Sequence, residues 1–431
     1  MANNIISDNI IYTNREKTII YIGVLLGFMF DGYDLLITSF VLGPTASYFA
    51  VPIKSISFAL TLVLGASLIG GIGYGWLADR IGRRPVLFIT IITYGTMTIL
   101  SGLSTTLLEF YLFRFLTGLG VGGEFGIGFS LLNEAYSEKT RGAAGGWLAS
   151  MYVWGSLLGA VTADYTLTHF SSALGWRYAY IIAGVAALIL VVIRFFMPES
   201  KVWQRYMVLK KEGKLPSGYE KRQPFTEIFT RKFIRYTVFG SLLVIGDFFF
   251  TYSFLTFIPT LFSSVYKISV PVYTEMIIIA ELVGIVGYTL MGFLSDRVGR
   301  KPAAIIYGVL GFITVLIFWY ETALRTPFVS ISSFPIFYAY MGIYFAAGFI
   351  AQFGVWMGEH YITRNRASGT NFTYMMGRAI GGGLPPIIVP MLLSYGGLGI
   401  AMSIGMIIGA VIQFIAIFGL KETRGTIIKP V

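Results

Sequence analysis

Two aspartates that are three residues apart, Asp31 and Asp34, stand inside a long apolar segment near the start of the chain. Residues at this spacing share one face of a helix, so the two carboxylates are predicted to lie side by side. Two neighbouring carboxylates cannot both ionise easily in apolar surroundings, and at least one of them should hold a proton. The pair therefore indicates a residue that can carry protons.

Other ionisable side chains also fall inside apolar segments. A charged side chain at membrane depth costs about 2.5–3.5 kcal/mol even on lenient scales, and so each one is first treated as a functional hypothesis. The remaining members of this group are Arg114, Glu124, Asp164, Asp247, Glu281 and Arg378. Asp164 lies close to the end of its segment and is interpreted as an interface residue.

Arg378 has no acidic residue within its own predicted helix. A buried guanidinium needs an anion, and the sequence leaves two candidates open. One is a substrate carboxylate, which the planar guanidinium can bind at two points. The other is a permanent ion pair with Asp247 or Glu281. The predicted substrate-binding residues are Arg378, Tyr33, Tyr374, Asp247, Tyr252 and Gln352.

Glu124 is flanked by Gly122, Gly123 and Gly126. Small residues let helices approach closely, so this glutamate either forms a hydrogen bond across a tight helix contact or provides a second protonation or substrate-contact site. Both interpretations stay open from the sequence.

The composition determines what must position these residues. The chain has 431 residues, of which 55% are hydrophobic and 12% charged, with a mean hydropathy of +0.74. Soluble domains carry about 25% charged residues, so this is a polytopic membrane protein and not a soluble enzyme. With no cysteine and two histidines, no metal site is predicted. No nucleotide-binding motif is present, which excludes ATP hydrolysis as a driving force, and no cofactor is expected.

Twelve apolar segments are long enough to span a bilayer, which needs about 20 residues each. The predicted spans are 18–41, 56–78, 85–103, 108–132, 143–166, 176–197, 233–262, 271–294, 302–320, 333–357, 368–393 and 396–420. We predict an all-α membrane protein with an N-terminal six-helix bundle (1–197), a polar cytoplasmic linker (198–232) and a C-terminal six-helix bundle (233–431).

The basic residues predict the orientation. If the N-terminus is cytoplasmic, inside segments hold 26 of the 32 lysines and arginines, and outside loops hold 3. Cytoplasmic loops are enriched in these residues, so both termini are predicted to be cytoplasmic. The formal charge of +11 is scattered between apolar segments, which argues against a nucleic-acid partner.

Three charged motifs recur in the same order in both halves. Gly75-Trp-Leu-Ala-Asp79-Arg-Ile-Gly-Arg-Arg-Pro85 follows span 2, and Gly292-Phe-Leu-Ser-Asp296-Arg-Val-Gly-Arg-Lys-Pro302 follows span 8. Glu134 precedes Arg141 by seven residues as Glu359 precedes Arg366, and Glu199 and Glu422 close the two halves. The chain is therefore predicted to be a tandem duplication of a six-helix unit.

These motifs supply carboxylates and guanidinium groups that can form bidentate pairs at the cytoplasmic ends of helices. We interpret them as a latch that holds the halves together and must break when the inner side opens. The alternative is simple topology anchoring. The predicted gating residues are Asp79, Arg80, Arg83, Asp296, Arg297, Arg300, Glu134, Arg141, Glu359 and Arg366.

The GxxxDRxGRR/K turn in both halves resembles the signature of the major facilitator superfamily, and Arg114-Phe-Leu-Thr-Gly-Leu-Gly-Val-Gly122 in span 4 extends the resemblance. Asp31-Gly-Tyr-Asp34 is similar to the aromatic-acid:proton symporters. Gly122-Gly-Glu-Phe-Gly126 and Tyr374-Met-Met-Gly-Arg378 look more like the lactate and sialate proton symporters. Span 7, with Gly246-Asp-Phe-Phe-Phe-Thr251, departs from the polar pattern of some lactate carriers.

The resemblance implies a major facilitator fold and a proton-coupling pair. In sugar porters of this superfamily an aspartate of span 1 and the arginine of span 4 form that pair, which maps onto Asp34 and Arg114. A permanent structural ion pair is the alternative. The predicted proton-coupling residues are Asp34, Arg114, Asp31 and Glu124.

The expected function is proton-coupled symport of a small organic acid by alternating access, in the plasma membrane. The expected partners are protons, a small-molecule substrate and the lipid bilayer, and we expect a monomer. Proton-coupled sugar or polyol uptake and organic-cation transport are alternatives within the same fold. A receptor that has lost transport is a further alternative, against which the buried acids and both intact turns argue.

Overall fold

A computed structural model of the chain describes residues 12–214 and 224–426, and every regular element in these ranges is helical. We label the helical segments that overlap the predicted spans α1 to α12. In the first half they are α1 (Asn14–Phe40), α2 (Ile53–Ile81), α3 (Arg83–Leu103), α4 (Leu107–Ala135), α5 (Arg141–His169) and α6 (Ser172–Phe195). In the second half they are α7 (Ile234–Val265), α8 (Val270–Val298), α9 (Arg300–Ala323), α10 (Pro335–His360), α11 (Arg366–Gly383) and α12 (Leu398–Gly419).

Ten of these segments in the described part of the chain are long and apolar enough to cross a membrane. The two that do not meet this measure are α5 and α11. Both are rich in glycine, serine and threonine and pack along the other half of the molecule, α5 against α8 and α11 against α2. Helices that face other helices need fewer large apolar residues than helices that face lipid.

Two equivalent segments, α4 and α10, are interrupted near their middle. The α4 helix turns at Gly122 and Gly123, and α10 contains a 3-10 stretch from Ala347 to Gln352. As the glycine and proline residues predict, α11 ends at Gly383 and a short helix follows from Pro385 to Met391.

The predicted linker is partly helical. A helix runs from Lys201 to Lys211, and a short one from Pro224 to Glu227. Two of its basic residues, Lys221 and Arg222, lie outside the described residues, as do both chain ends.

The two sets of helices, α1–α6 and α7–α12, meet at close range where α5 crosses α8. A Cβ atom added to Gly146 on α5 would lie 2.9 Å from the Cα atom of Gly292 on α8. The absence of side chains at these positions lets the two backbones touch. Both glycines lie near the side of the bundle that carries the repeated turns, which we call the motif side.

Candidate functional site

The first repeated turn forms a buried ion-pair cluster on the motif side. A guanidinium nitrogen of Arg83 lies 3.3 Å from Asp79 and 3.3 Å from Glu134. All three side chains are almost fully buried. Such buried charges are tolerated only when they are paired, so the three residues form one unit.

The second turn repeats this cluster. A guanidinium nitrogen of Arg300 lies 2.7 Å from Asp296, and another lies 2.9 Å from Glu359. Arg300 is fully buried and Glu359 nearly so. The duplication seen in the sequence is therefore also a duplication of contacts.

A glycine at the same place in each turn adopts a backbone conformation that favours glycine. Gly82 has φ +108° and Gly299 has φ +109°, which is unfavourable for residues with a side chain. Each glycine also lies against the glutamate at the end of its half. A Cβ atom added to Gly82 would lie 2.2 Å from an oxygen of Glu199, and one added to Gly299 would lie 2.8 Å from an oxygen of Glu422.

These glutamates cap the helices that follow the turns. Glu199 accepts hydrogen bonds from the backbone N–H groups of Arg83 (2.9 Å) and Arg84 (3.1 Å), and Glu422 from those of Arg300 (2.9 Å) and Lys301 (2.8 Å). A carboxylate at a helix N-terminus is stabilised by the unpaired N–H groups there.

The environments of the two caps nevertheless differ. Burial raises the pKa of Glu199. At the more exposed Glu422, burial opposes ionisation, but backbone N–H donors led by that of Arg300 outweigh it and lower the pKa.

Several contacts of these clusters cross between the two sets of helices. Arg366 on α11 lies 2.9 Å from Glu134, and Arg141 on α5 lies 3.2 Å from Glu359. The carboxylate of Asp79 accepts from the backbone N–H (3.1 Å) and the hydroxyl (2.6 Å) of Ser368, near the start of α11.

Asp296 makes the corresponding contact at the start of α5. It accepts from the backbone N–H groups of Gly142 (3.0 Å) and Ala143 (2.8 Å). Each aspartate of a repeated turn therefore caps a helix of the opposite set, and the motif side is closed by charge-assisted hydrogen bonds in both directions. We call this combined network the latch.

Two predicted gating residues differ from the others in exposure. Arg80 and Arg297 each follow a turn aspartate by one position, about 100° away around the helix, and both side chains are exposed. The guanidinium of Arg80 stacks over the ring of Trp76 at 4.0 Å. A gating role for Arg80 and Arg297 therefore stays a prediction.

Asp34 on α1 and Arg114 on α4 form a two-point ion pair. Guanidinium nitrogens of Arg114 lie 3.1 and 3.2 Å from the carboxylate oxygens of Asp34, and Arg114 is fully buried. The hydroxyl of Thr98 on α3 also donates to this carboxylate. The structure thus brings together the two residues that the resemblance pairs.

Arg378 forms its own two-point ion pair, with Asp31. The guanidinium on α11 donates to the two carboxylate oxygens at 2.9 and 3.1 Å, and both side chains are almost fully buried. The expectation that a standing partner would be Asp247 or Glu281 is wrong. The sequence places Arg378 at mid-depth, but only the packing of the two sets shows that α1, and not α7 or α8, presents the carboxylate.

Glu124 has a partner that sequence reasoning missed. Arg194, near the motif-side end of α6, donates to the carboxylate at 2.5 and 2.8 Å, and Thr90 donates at 2.5 Å. A Cβ atom on Gly27 would lie 1.9 Å from Arg194, so this glycine leaves room for the guanidinium. Arg194 lies inside a predicted span, and that position was the available signal.

Two further buried carboxylates have neutral partners. The amide nitrogen of Gln413 on α12 donates to Asp247 at 2.8 Å. The hydroxyl of Ser156 donates to Glu281 at 2.6 Å. Among the described residues, neither carboxylate forms an ion pair.

A small cavity of about 30 Å³ lies between the two sets of helices. Most of its lining is aromatic: Phe28, Phe125, Tyr152, Phe248, Tyr252, Tyr288 and Tyr374. Asp247 is the one carboxylate in the lining. The surrounding helices must move before a metabolite can enter.

The structure divides the predicted substrate residues into two groups. Asp247, Tyr252 and Tyr374 line the cavity, and Arg378 is within electrostatic range of the hydroxyls of Tyr252 and Tyr374. Tyr33 does not line it, because its hydroxyl bonds to Thr162 at 2.6 Å and its ring packs in a separate apolar cluster.

Gln352 also lies away from the cavity lining. It is buried in the 3-10 stretch of α10, and its amide atoms find no hydrogen-bond partner among the described residues. The prediction that Tyr33 and Gln352 line the cavity is wrong for this conformation.

The fold and these buried charges define a class, a multi-pass membrane transporter that closes around a central cavity. Residues 24–386 match the Major Facilitator Superfamily. Because this match covers most of the chain, the protein belongs to that superfamily. It is a transporter and not an enzyme, and an integral membrane protein of a family that typically lies in the plasma membrane.

Two relatives resemble the chain over nearly its full length. One is described as a probable 4-methylmuconolactone transporter from Cupriavidus pinatubonensis, 28% identical over 94% of this chain and 90% of the relative. The other is the sialic acid transporter NanX of Escherichia coli, 24% identical over 88% of both chains.

A solved structure of the proton:xylose symporter XylE, bound to 6-bromo-6-deoxy-D-glucose, has the same fold. Its TM-score is 0.81, with coverage of 96% of this chain and 98% of that one. At 19% identity, this likeness shows the fold alone.

Proposed function

We propose that this transporter imports a small organic acid together with protons, by alternating access. In this proposal the chain crosses the membrane twelve times and both termini are cytoplasmic, so the motif side faces the cytoplasm. A single chain contains the whole transport pathway. The distribution of lysine and arginine between alternate loops supports this orientation.

The observation that carries the substrate class is the ion pair between Arg378 and Asp31. The guanidinium already holds one carboxylate at two points, 2.9 and 3.1 Å away, and it is close to the tyrosines of the cavity. A carboxylate substrate can replace Asp31 in the same geometry without leaving the arginine unpaired. Relatives named for a muconolactone and for sialic acid support an organic acid.

The proposed cycle begins with the motif side latched and the outer side open. Protonation releases Asp34 from Arg114, and a proton taken up by Asp31 neutralises that carboxylate as the substrate carboxylate replaces it on Arg378. The two sets of helices then rock about the cavity, the latch breaks, and the proton and the substrate leave inside. Domain assignments of 1–197 and 233–431, joined by 198–232, describe the bodies that rock.

The test is uptake into proteoliposomes with and without an inward proton gradient. A thermal-shift screen of monocarboxylates, aromatic acids, sugars and quaternary amines selects the compound, because a ligand stabilises the protein that it binds. Stabilisation by carboxylates, followed by accumulation that an ionophore abolishes, is the expected result. Accumulation that is indifferent to the proton gradient would contradict the proposal.

One observation favours a second candidate, an organic cation. Asp247 lies in the wall of a largely aromatic cavity, and a carboxylate with aromatic faces is the arrangement that binds a quaternary ammonium group. If quaternary amines stabilise the protein and carboxylates do not, this candidate replaces the organic acid.

A further inference from the structure

Glu281 is a buried carboxylate that the proposed transport cycle does not use. It lies on α8, with 2% of its surface exposed, at the contact of α8 with α5 and α10. One of its oxygens accepts from Ser156 at 2.6 Å and from the Tyr344 hydroxyl at 3.4 Å. The other oxygen, Oε2, has no hydrogen-bond partner among the described residues.

A glycine about one turn further along α8, Gly284, makes room for Tyr344 next to Glu281. A Cβ atom on Gly284 would lie 2.3 Å from the ring of Tyr344. Because Gly284 has no side chain, the tyrosine ring packs against α8 and its hydroxyl reaches Glu281. The carboxylate is thus held between hydroxyl groups from two other helices.

The surroundings of Glu281 contain no compensating positive charge among the described residues. The titratable groups that face it are the phenols of Tyr340 and Tyr344 on α10, with Tyr152 on α5 next to Tyr344. In contrast, Asp31, Asp34 and Glu124 each hold an arginine. An ionised carboxylate with neutral neighbours is strongly disfavoured in an apolar interior, so this conformation favours the protonated acid.

The bond between Ser156 and Glu281 joins the two sets of helices. Ser156 is fifteen residues along α5 from its motif-side start at Arg141, a distance of about 22 Å. Ser156 is thus near the middle of α5, and it lies further from the motif side than the contact of Gly146 with Gly292. Glu281 therefore lies away from the latch, on the outer side of that glycine contact, and we call this region the outer contact between α5 and α8. Separation of the two helices at this point would admit water to the carboxylate and allow it to ionise.

We propose that Glu281 is a proton-binding site, distinct from Asp34, whose proton stabilises the outer contact between α5 and α8. This inference rests on the alternating access of the proposed function and adds a second titrating group to it. Protonation favours the closed contact, and deprotonation favours its opening, because the charged form requires water.

The test follows the outer ends of α5 and α8 during a pH titration and needs no substrate. The chain has no native cysteine, so spin labels can be placed on Thr168→Cys and Ser269→Cys, two exposed positions at these ends. Distances are measured by pulsed EPR in lipid nanodiscs. We expect the distance population to shift toward separation as pH rises, and Glu281→Gln to lose this response.

Two variants serve as controls. Asp164→Asn removes an exposed carboxylate from the outer part of α5 and should leave the titration unchanged. Ser156→Ala keeps the carboxylate but removes a donor to its charged form, so the midpoint should move to higher pH. This second variant keeps the test valid if Glu281→Gln folds poorly.

Several results would overturn the inference. A pH response that is unchanged in both Glu281→Gln and Ser156→Ala would do so, and so would a labelled parent chain that does not respond to pH. A response to NaCl at constant pH that Glu281→Gln removes would assign the site to a metal cation instead. Failure of the proposed function is distinguishable, since it would appear as uptake that is indifferent to the proton gradient in the unaltered chain.

Discussion

The internal duplication is preserved in the contacts on the motif side but not in those at the centre of the molecule. On the motif side, the ion pairs of Arg83 with Asp79 and Glu134 have counterparts in those of Arg300 with Asp296 and Glu359. Even the hydroxyl bonds repeat, with Ser200 donating to Glu134 at 2.5 Å and Thr423 to Glu359 at 2.6 Å.

At the centre, the two sets of helices differ. The carboxylates of α1 and α4 are each paired with an arginine, whereas Asp247 and Glu281 of the second set are bonded to neutral groups. In the proposed function, the latch holds both sets equally, and equivalent contacts suit that role. The proposed binding of a substrate and a proton at the centre requires different chemistry from each set, which agrees with the loss of symmetry there.

The largest expected effect tests whether the ion pair of Asp34 with Arg114 takes part in proton coupling or is only structural. Asp34→Asn cannot lose or gain a proton, so we expect it to abolish gradient-driven accumulation while exchange of substrate across the membrane continues in part. Uptake and counterflow in proteoliposomes measure the two activities, with Asp164→Asn as the control. Accumulation by Asp34→Asn against a gradient would show that this pair is structural.

The pair between the two sets should have the next largest effect. Arg378→Ala leaves Asp31 buried without a counter-charge and should destabilise the protein by about 3–5 kcal/mol. Adding Asp31→Asn should restore much of the thermal stability but not transport of a carboxylate substrate. Recovery of transport in the double variant would contradict a substrate-binding role for Arg378.

The latch should respond almost equally in both halves. Asp79→Asn and Asp296→Asn each weaken charge-assisted hydrogen bonds, which are worth about 1.5–3 kcal/mol apiece, and so each should shift the conformational equilibrium about tenfold or more. The labels at Thr168→Cys and Ser269→Cys should report closer outer ends in both variants. A shift in one variant alone would show that equivalent contacts in the two halves contribute different free energies to the closed state.

The smallest effect concerns the two helix caps, where equivalent residues should respond to pH in opposite directions. Glu422 has a lowered pKa, so its stabilising contribution is present above the ordinary glutamate value and is lost as pH falls. Glu199 has a raised pKa, so its contribution is present at low pH and is lost as pH rises through that pKa. Thermal unfolding of Glu199→Gln and Glu422→Gln across pH measures both slopes, and parallel slopes would contradict the difference in burial.

Much of the architecture could be predicted because it depends on local patterns. Apolar segments of sufficient length form the helices, and the repeated turns identify the family and the residues of the latch. The spacing of Asp31 and Asp34 on one face of α1 is likewise a local property. The linker helix at Lys201–Lys211 was not predicted, because its polar sequence gave no membrane signal.

The sequence by itself therefore determined the helices, the duplication and the family, and it identified most of the charged residues that lie within the apolar segments, with Arg194 as an exception. Only the tertiary structure decided which of those charges meet. Asp31 pairs with Arg378, which is 347 residues away in the chain, and Arg194 on α6 pairs with Glu124 on α4, 70 residues away. Such pairs depend on how helices rotate and approach one another, and a carboxylate on any neighbouring helix at the same depth would satisfy the same arginine. That choice is made by packing and is not encoded in local spacing.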